Sequence, residues 1–486
     1  MGAGWSDRFN ILETSPHDAL GCGSQPVEPL RAEEFTWIAS RYNIRATTED
    51  GRLVLWNTLK GSMIVLRGDQ AEAVKTLLTR RGFEAPKEGI VEYLADQGFL
   101  VKKEANEYRQ FQRLFGEQHY QNNLLELILL PSEDCNFRCT YCYEDFARGT
   151  MEPWVRQGVR KMVEQRIHQG LRHLEVRWFG GEPLYGMAAL EDLAPFFVEA
   201  CAENGLTYRS QMTTNGYLLT PDMASRLFEW EIRRFQVTID GPPEYHDKSR
   251  PTRDGGETFA TIFENLKALR DRDESFHVDL RVNFDRKNAP ELGRFFDMAA
   301  EEFSGDWRFR MHLKAVGRWG GPNDAQLDVC TDDAGAVAAY LAHEAERRGI
   351  DVRGNLRDAN RFGSEVCYAA RPYNLIIGAT GKLMKCTIVL DSEDFNVVGQ
   401  LNADGSLEFD DDRFALWTEP AFEDDKKCQK CVVAPLCQGI HCPLIRMEEN
   451  RSPCTPLRDG IKQSLAASVT RPGGGESRHV VVAGGR

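Results

Sequence analysis

Residues 125–142 read LELILLPSEDCNFRCTYC: an apolar β-type run that ends at a proline, then three cysteines within eight residues. Cys135, Cys139 and Cys142 stand at C-x3-C-x2-C spacing. A disulfide takes thiols in pairs, and structural zinc takes four ligands, so three thiols make an incomplete set for either. A cubane of four irons takes four thiolates when its only task is electron transfer. Three thiolates leave one iron open to a ligand that is not protein. On spacing alone two other readings stay open, a zinc ion with a distant fourth ligand and three buried free cysteines.

Outward from this stretch the chain alternates strand and helix. LELILLP, HLEVRWFG, TYRSQMTTNG, RFQVTIDG, HVDLRVNF and RFRMHLKAV are β-type runs. Helical patterns at 153–169, 187–203, 221–230, 257–272 and 290–302 lie between them. That alternation predicts βαβ units and a parallel sheet, an α/β fold best described as a partial (β/α)6 TIM-type barrel. Polar and glycine residues sit where the strands end: Cys135 onward, Gly180-Gly181-Glu182-Pro183, Thr214-Asn215-Gly216, Asp240-Gly241 and Asn283. In parallel α/β folds the C-terminal strand edge carries the site.

The chain has 486 residues, a net charge of −14 and a pI near 5.4. This is long enough for two to four domains. The acidic balance argues against a phosphate-tracking surface, so no nucleic-acid partner is expected. No apolar run is long enough for a membrane span, and the N-terminus has no secretory h-region, so a cytoplasmic protein is expected. Thirteen cysteines in a reducing compartment then point to metal or catalysis. Cys22, Cys201 and Cys330 stand alone, Cys201 in an apolar helical pattern that reads as core packing. The other ten fall at 135–142 and 367–454.

With Tyr141, the first cluster matches C-x3-C-x-aromatic-C and resembles the signature of the radical SAM superfamily. The resemblance implies a 4Fe-4S cluster on Cys135, Cys139 and Cys142 whose open iron chelates S-adenosyl-L-methionine. Reductive cleavage of that cofactor then gives a deoxyadenosyl radical that takes hydrogen from a substrate. It further implies cofactor contacts at Gly180, Gly181, Thr214, Asn215 and Asn283, with Tyr141 as a wall near the adenine. Glu182 would meet the methionine ammonium, Thr238 would offer a hydroxyl, and Arg250 would pair with the methionine carboxylate.

The second cluster, C367-x13-G381-x4-C386 followed by C428-x2-C431-x5-C437-x4-C442 and Cys454, resembles the SPASM extension. That resemblance implies two auxiliary 4Fe-4S clusters. Cys428, Cys431, Cys437 and Cys454 would hold the distal one. Cys367, Cys386 and Cys442 would hold the proximal one, with its fourth position open or filled by another side chain such as His441. Zinc ribbons are the rival for such C-x2-C pairs.

Residues 35–110 show short strands, then helices, and resemble a winged-helix-like leader-peptide recognition unit, in which a peptide adds as a strand to a sheet edge. The expected organisation is a flexible segment at 1–34, this unit at 35–110 and the radical SAM core at 111–325. A bridging helix region at 326–365, a SPASM domain at 366–456 and a flexible tail at 457–486 follow. The resemblance implies a maturase that installs a thioether or carbon–carbon crosslink in a ribosomal precursor peptide. Its expected partners are a leader-bearing precursor and a flavodoxin- or ferredoxin-type electron donor. A sulfatase-maturating type enzyme forming formylglycine, and an iron–sulfur carrier or binding protein, are the alternatives.

Overall fold

The computed structural model describes residues 34–482, apart from 147, 331–332, 354–360, 391, 421, 424, 452 and 470–479. Cys22 and residues 1–33 of the expected flexible segment lie outside the described residues. Among the described residues no helix is long and apolar enough to cross a membrane.

The N-terminal unit carries six strands in two sheets. These are β1 (Glu34–Ala39), β2 (Asn43–Thr47), β3 (Leu53–Asn57), β4 (Met63–Leu66), β5 (Phe83–Pro86) and β6 (Leu100–Lys102). Helices α1 (Gly68–Thr79) and α2 (Gly89–Asp96) follow β4 and β5. β2, β3 and β4 form an antiparallel meander, while β5, β1 and β6 form a separate sheet. The sequence pattern predicts the meander, both helices and β6. It misses β1, which starts at the boundary of the glycine- and proline-rich segment, and β5, whose four residues end in Pro86. β3 is buried along its whole length. One of its faces packs Leu53 and Leu55 against Val74, Leu78 and Leu94. The other packs Val54 and Trp56 against Val433, Leu436, Ile461 and Leu465. The second face is thus sealed by the cysteine-rich segment, to which Thr58 also donates a hydrogen bond at Val432 O (2.5 Å).

A helix that crosses the expected boundary at 110/111, α3 (Glu107–His119), leads into the core. Its Phe111 and Phe115 pack on Phe422 and Ile440. Six parallel strands then lie side by side in chain order: β7 (Leu124–Ser132), β8 (His173–Gly180), β9 (Thr207–Thr214), β10 (Ile232–Thr238), β11 (His277–Phe284) and β12 (Phe309–Ala315). The connecting helices are α4 (Pro153–His168), α5 (Met187–Glu203), α6 (Pro221–Glu229), α7 (Phe259–Arg270) and α8 (Leu292–Phe303). Among the described strands β12 pairs with β11 alone, its other edge meeting just a single bridge from Met311 to Val352, so the barrel stays open and partial, as the strand–helix alternation predicts. β7 is buried at nearly every position, the continuous apolar run of a strand covered on both faces. Thr220 caps α6 by accepting from Met223 N, with Pro221 in the first turn.

After α9 (Ala334–Glu346) the sheet continues. β13 (Asn374–Ile377) pairs in parallel with β7, and β14 (Lys382–Met384), β15 (Val397–Leu401) and β16 (Leu407–Phe409) extend it in antiparallel fashion to ten strands. The cysteine-rich segment therefore shares a sheet with the core.

The expected flexible tail from 457 is corrected in part. α10 (Leu457–Ala467) is a helix because Ile461 and Leu465, one turn apart, bury against Ile44 and Trp56. β17 (Val480–Val482) pairs in parallel with the outer edge of β4.

Candidate active site

The cysteine loop leaves β7 after Ser132 and is clasped by residues 249–253. Arg138 N donates to Pro251 O (2.9 Å), Thr140 N to Ser249 O (2.8 Å) and Arg253 N to Asn136 O (2.8 Å). These main-chain bonds bring Cys135, Cys139 and Cys142 to one cavity of about 810 Å³, open mouth included. Phe137 N donates to Cys135 Sγ (3.3 Å), and Asn215 Nδ2 reaches the same sulfur (3.8 Å) and Asn136 Oδ1 (2.7 Å). Burial pushes all three thiols up, Cys142 to about 12.

The strand ends supply the rest of the wall. Tyr141, Gly180, Gly181, Thr214, Asn215, Thr238, Arg250 and Asn283 all line the cavity. Tyr141 does more than present a ring. Its hydroxyl donates to Asp240 Oδ2 (2.5 Å) and accepts from Arg250 NH1 (2.7 Å) and Asn283 Nδ2 (3.0 Å). The loop and the ends of β10 and β11 are thus joined at a single oxygen.

The glycines are required by close approach. Gly180 has φ +113°, and a Cβ there would meet Ser132 O at 2.3 Å. A Cβ on Gly181 would fall 2.5 Å from Asp134 O. No side chain fits between β8 and the cysteine loop.

Glu182 follows these two glycines. It is fully buried and does not line the cavity. Its Oε1 accepts from Thr214 Oγ1 (2.8 Å) and Leu184 N (3.1 Å), and its Oε2 from Asn215 N (2.8 Å). Burial raises its carboxyl, and these hydrogen bonds oppose the rise. It holds the Thr214–Asn215 turn in place at the end of β9.

Sequence reasoning gave Asp240 no role beyond its strand end and passed over Gln236, Arg281 and Glu144. Asp240 is buried and accepts from Tyr141, Ser249 Oγ (3.3 Å) and Asn283 N (3.3 Å), which makes it the organiser of the β10 end. Burial raises its carboxyl against the pull of Arg250. The "IDG" strand end was a signal, but its role rests on residues 99 positions away in sequence. Gln236, Arg281 and Glu144 also line the cavity. Gln236 and Arg281 show an alternation signal, since each stands two residues before a predicted site position, Thr238 and Asn283.

Seven further cysteines fall in two groups. Cys428, Cys431, Cys437 and Cys454 lie within one another's electrostatic reach. So do Cys367, Cys386 and Cys442. Burial drives Cys367 and Cys428 to about 12 and Cys437 to about 11. His441, the candidate fourth ligand, meets Glu365 O through Nδ1 (3.0 Å). Tyr143 lies between the first and second sets, within reach of Cys142 and Cys386. Cys201 and Cys330 are buried in the core.

Among the described residues no three His, Cys, Asp or Glu side chains converge as ligands of a single ion. Thiols that each bind a separate iron of one cubane have no need to converge. The donor set fits such a cluster: three soft thiols on one cavity, with a glycine-lined approach beside them.

The model of the Radical SAM superfamily matches residues 129–299. The radical SAM cyclopropyl synthase TigE of Paramaledivibacter caminithermalis is 23% identical over 242 residues, 43% of this chain and 50% of the relative. The chain thus spans half the length of that relative. A serine-type anaerobic sulfatase-maturating enzyme of Klebsiella aerogenes is 23% identical over 331 residues, 64% of this chain and 77% of the relative. Among solved structures, native anSMEcpe with bound AdoMet and Cp18Cys peptide superposes with a TM-score of 0.53 at 17% identity, over 70% of this chain and 95% of that one.

Proposed function

We propose that this chain, whose residues 129–299 match the Radical SAM superfamily, is an enzyme that modifies a ribosomally made precursor peptide by forming a thioether or carbon–carbon crosslink. The observation that carries this reading is the convergence of Cys135, Cys139 and Cys142 with the Gly180–Gly181 strand end on one cavity. When bound, a 4Fe-4S cluster and S-adenosylmethionine supply the electron and the hydrogen-abstracting radical.

The chain's own residues hold, orient and shield. The backbone at Gly180 and Gly181 permits close approach of a ligand to β8. Thr214, Asn215, Thr238 and Asn283 offer polar groups at neighbouring strand ends. Arg250 is a buried cation positioned by Tyr141, suited to a carboxylate of the cofactor. Glu182 keeps the Thr214–Asn215 turn in place. Phe137, Phe146 and Phe179 line the same cavity and exclude water.

The two further cysteine sets support auxiliary 4Fe-4S clusters, distal on Cys428, Cys431, Cys437 and Cys454 and proximal on Cys367, Cys386 and Cys442. The domain division stands with this reading: leader recognition at 35–110, core at 111–325, bridge at 326–365 and cluster-binding extension from 366 to 456. A leader that added to β4 would take the place of Val480–Val482. A flavodoxin- or ferredoxin-type donor would supply electrons.

A second reading, maturation of a sulfatase by oxidation of Cys or Ser to formylglycine, is favoured by the likeness to sulfatase-maturating enzymes over most of their length. The N-terminal unit at 34–102, packed on the cysteine-rich segment, favours the precursor-peptide reading.

The test uses anaerobically reconstituted, reduced protein. Deoxyadenosine formed from S-adenosylmethionine is the first expected result, and its absence removes the radical reading. With the peptide encoded beside the gene, a loss of two hydrogens per linkage is expected by mass spectrometry. Conversion of a single Cys or Ser to an aldehyde would favour the second reading instead.

A further inference from the structure

β11 and β12 run in parallel register, with Arg281 beside His312 and Asn283 beside Lys314. Arg281 and Asn283 both line the cavity. Residues two apart on a strand share a face, and register partners face the same side. His312 and Lys314 therefore stand with Arg281 on the inward face of the open barrel.

Neither Arg281 nor Lys314 forms an ion pair with a described residue, and Asp240, within electrostatic reach of Arg281, is the carboxylate that acts on it. Arg281 gives Nε to Asn283 Oδ1 (2.8 Å), and its terminal nitrogens donate to no described residue. Lys314 forms no hydrogen bond or ion pair with any described residue. The nearby carboxylates are engaged elsewhere. Asp279, one step down β11, holds Arg353 (2.8 Å), and Asp351 holds Arg310 (3.0 Å). Asp240 receives the Tyr141 hydroxyl. Between the two cations stands His312, neutral because burial and its cationic neighbours hold it at about 3, with Nδ1 buried and unpartnered.

Lys314 is exposed by area, yet burial and the charge of Arg281 hold its ammonium below the usual lysine range. Cys442, of the Cys367–Cys386–Cys442 set, pulls in the opposite sense. Lys314 is therefore within reach of both the Arg281 wall and the second cysteine set. Two like charges side by side without a counter-ion are unfavourable until an anion arrives.

We propose that Arg281 and Lys314 form a carboxylate subsite, which holds an anionic group of the peptide substrate between the first cavity and the Cys367–Cys386–Cys442 set. The identity of the bearer as a peptide rests on the function proposed above. Arg281 presents a planar fork suited to two carboxylate oxygens, and Lys314 adds a point charge from the neighbouring strand. The carboxylate belongs to an Asp or Glu side chain or to a peptide C-terminus.

Calorimetric titration of the full, anaerobically reconstituted chain with three probes separates these cases. N-acetyl-Gly-Glu-Gly-amide carries a side-chain carboxylate, and N-acetyl-Gly-Gly-Gly acid a terminal one. N-acetyl-Gly-Gln-Gly-amide carries none. One carboxylate probe is expected to bind at least about tenfold more tightly than the neutral peptide, and which one it is names the source. Arg281→Gln and Lys314→Gln should each remove that preference with iron content unchanged, and Arg281→Lys should restore part of it.

Equal binding of all three probes, or a preference that survives both glutamine variants, overturns the subsite. If Lys314 serves only to balance a cluster at Cys442, Lys314→Gln will shift the cluster potential and leave probe affinity alone, which also overturns it. Probe binding is read without turnover. Protein that prefers a carboxylate but never forms deoxyadenosine removes the parent reading and keeps the subsite, while the converse removes the subsite alone.

Discussion

Tyr141 donates its phenol proton to Asp240 across 2.5 Å, on an oxygen that also accepts from Arg250 and Asn283. The aromatic position inside the cysteine motif is therefore a polar anchor as well as a wall. Tyr141→Phe keeps the ring and removes the anchor, leaving buried groups short of a partner. It is expected to cost about 1–3 kcal/mol of stability. Deoxyadenosine formation should fall at least about tenfold while iron stays bound, because the cavity wall loses its common fixed point. Thermal melting, iron analysis and chromatography of deoxyadenosine check the three parts.

Gly181→Ala places a methyl 2.5 Å from Asp134 O and 2.7 Å from its carbonyl carbon, both backbone atoms that have no rotamer to change. The cysteine loop must move, so iron bound at Cys135, Cys139 and Cys142 should drop sharply. Gly116→Ala, in α3 with nothing within 4 Å, is the control. It should stabilise the fold by about 0.5–1 kcal/mol and leave iron content unchanged.

The three cysteine sets should lose iron independently. Replacing Cys135, Cys139 and Cys142 by Ala is expected to remove about four irons per chain and abolish deoxyadenosine formation. Replacing Cys428 and Cys431 should remove a similar number and also loosen the N-terminal unit, since Val433 and Leu436 form part of its core. Iron quantification with electron paramagnetic resonance separates the sets. Equal iron in all variants would falsify the assignment.

His119 stacks on Phe115 with ring centroids 4.6 Å apart and meets Thr418 O through Nε2 at 2.9 Å. Burial holds its imidazole at about 4, below the ordinary 6.5. The folded-state value is depressed, so the neutral ring is favoured in the fold. Its stabilising contribution is complete above pH 6.5, falls as the unfolded chain takes up a proton between 6.5 and 4, and is gone below 4. The slope in that window is at most about 1.4 kcal/mol per pH unit. Denaturant melts of His119→Gln from pH 7.5 to 5 should show a shallower loss than the unaltered chain.

The core was legible because its strands carry a continuous apolar run, as in LELILLP, or an apolar–polar alternation, as in HLEVRWFG and HVDLRVNF, and end in glycine or polar residues. LELILLP, HLEVRWFG and HVDLRVNF announce both their secondary structure and the rim that bears the site. The first cysteine set was legible because its three thiols fall within eight residues. What escaped depends on long-range contact. Asp240 looks like half of a turn until Tyr141 and Asn283 arrive. Glu182 shows nothing in the sequence of its bonds to Thr214, Leu184 and Asn215. β13 to β16 are short, and three of them hold glycine or sit beside it, so no period shows. α10 reads as the start of a glycine-rich tail because only Ile461 and Leu465 bury, and their partner is a sheet more than 400 positions earlier.

One backbone seam sets a limit on how this molecule can be taken apart. Asn374 to Ile377 hydrogen-bond alongside Glu126 to Leu129, within the strand that launches the cysteine loop. A cut at residue 365 would strip β7 of its neighbour and leave an apolar edge in water, inviting aggregation. The two cysteine-bearing regions should unfold in one transition, and neither should be recoverable as a folded fragment. The spacing between their thiols is thereby held by a continuous sheet, with no hinge between them to lengthen it.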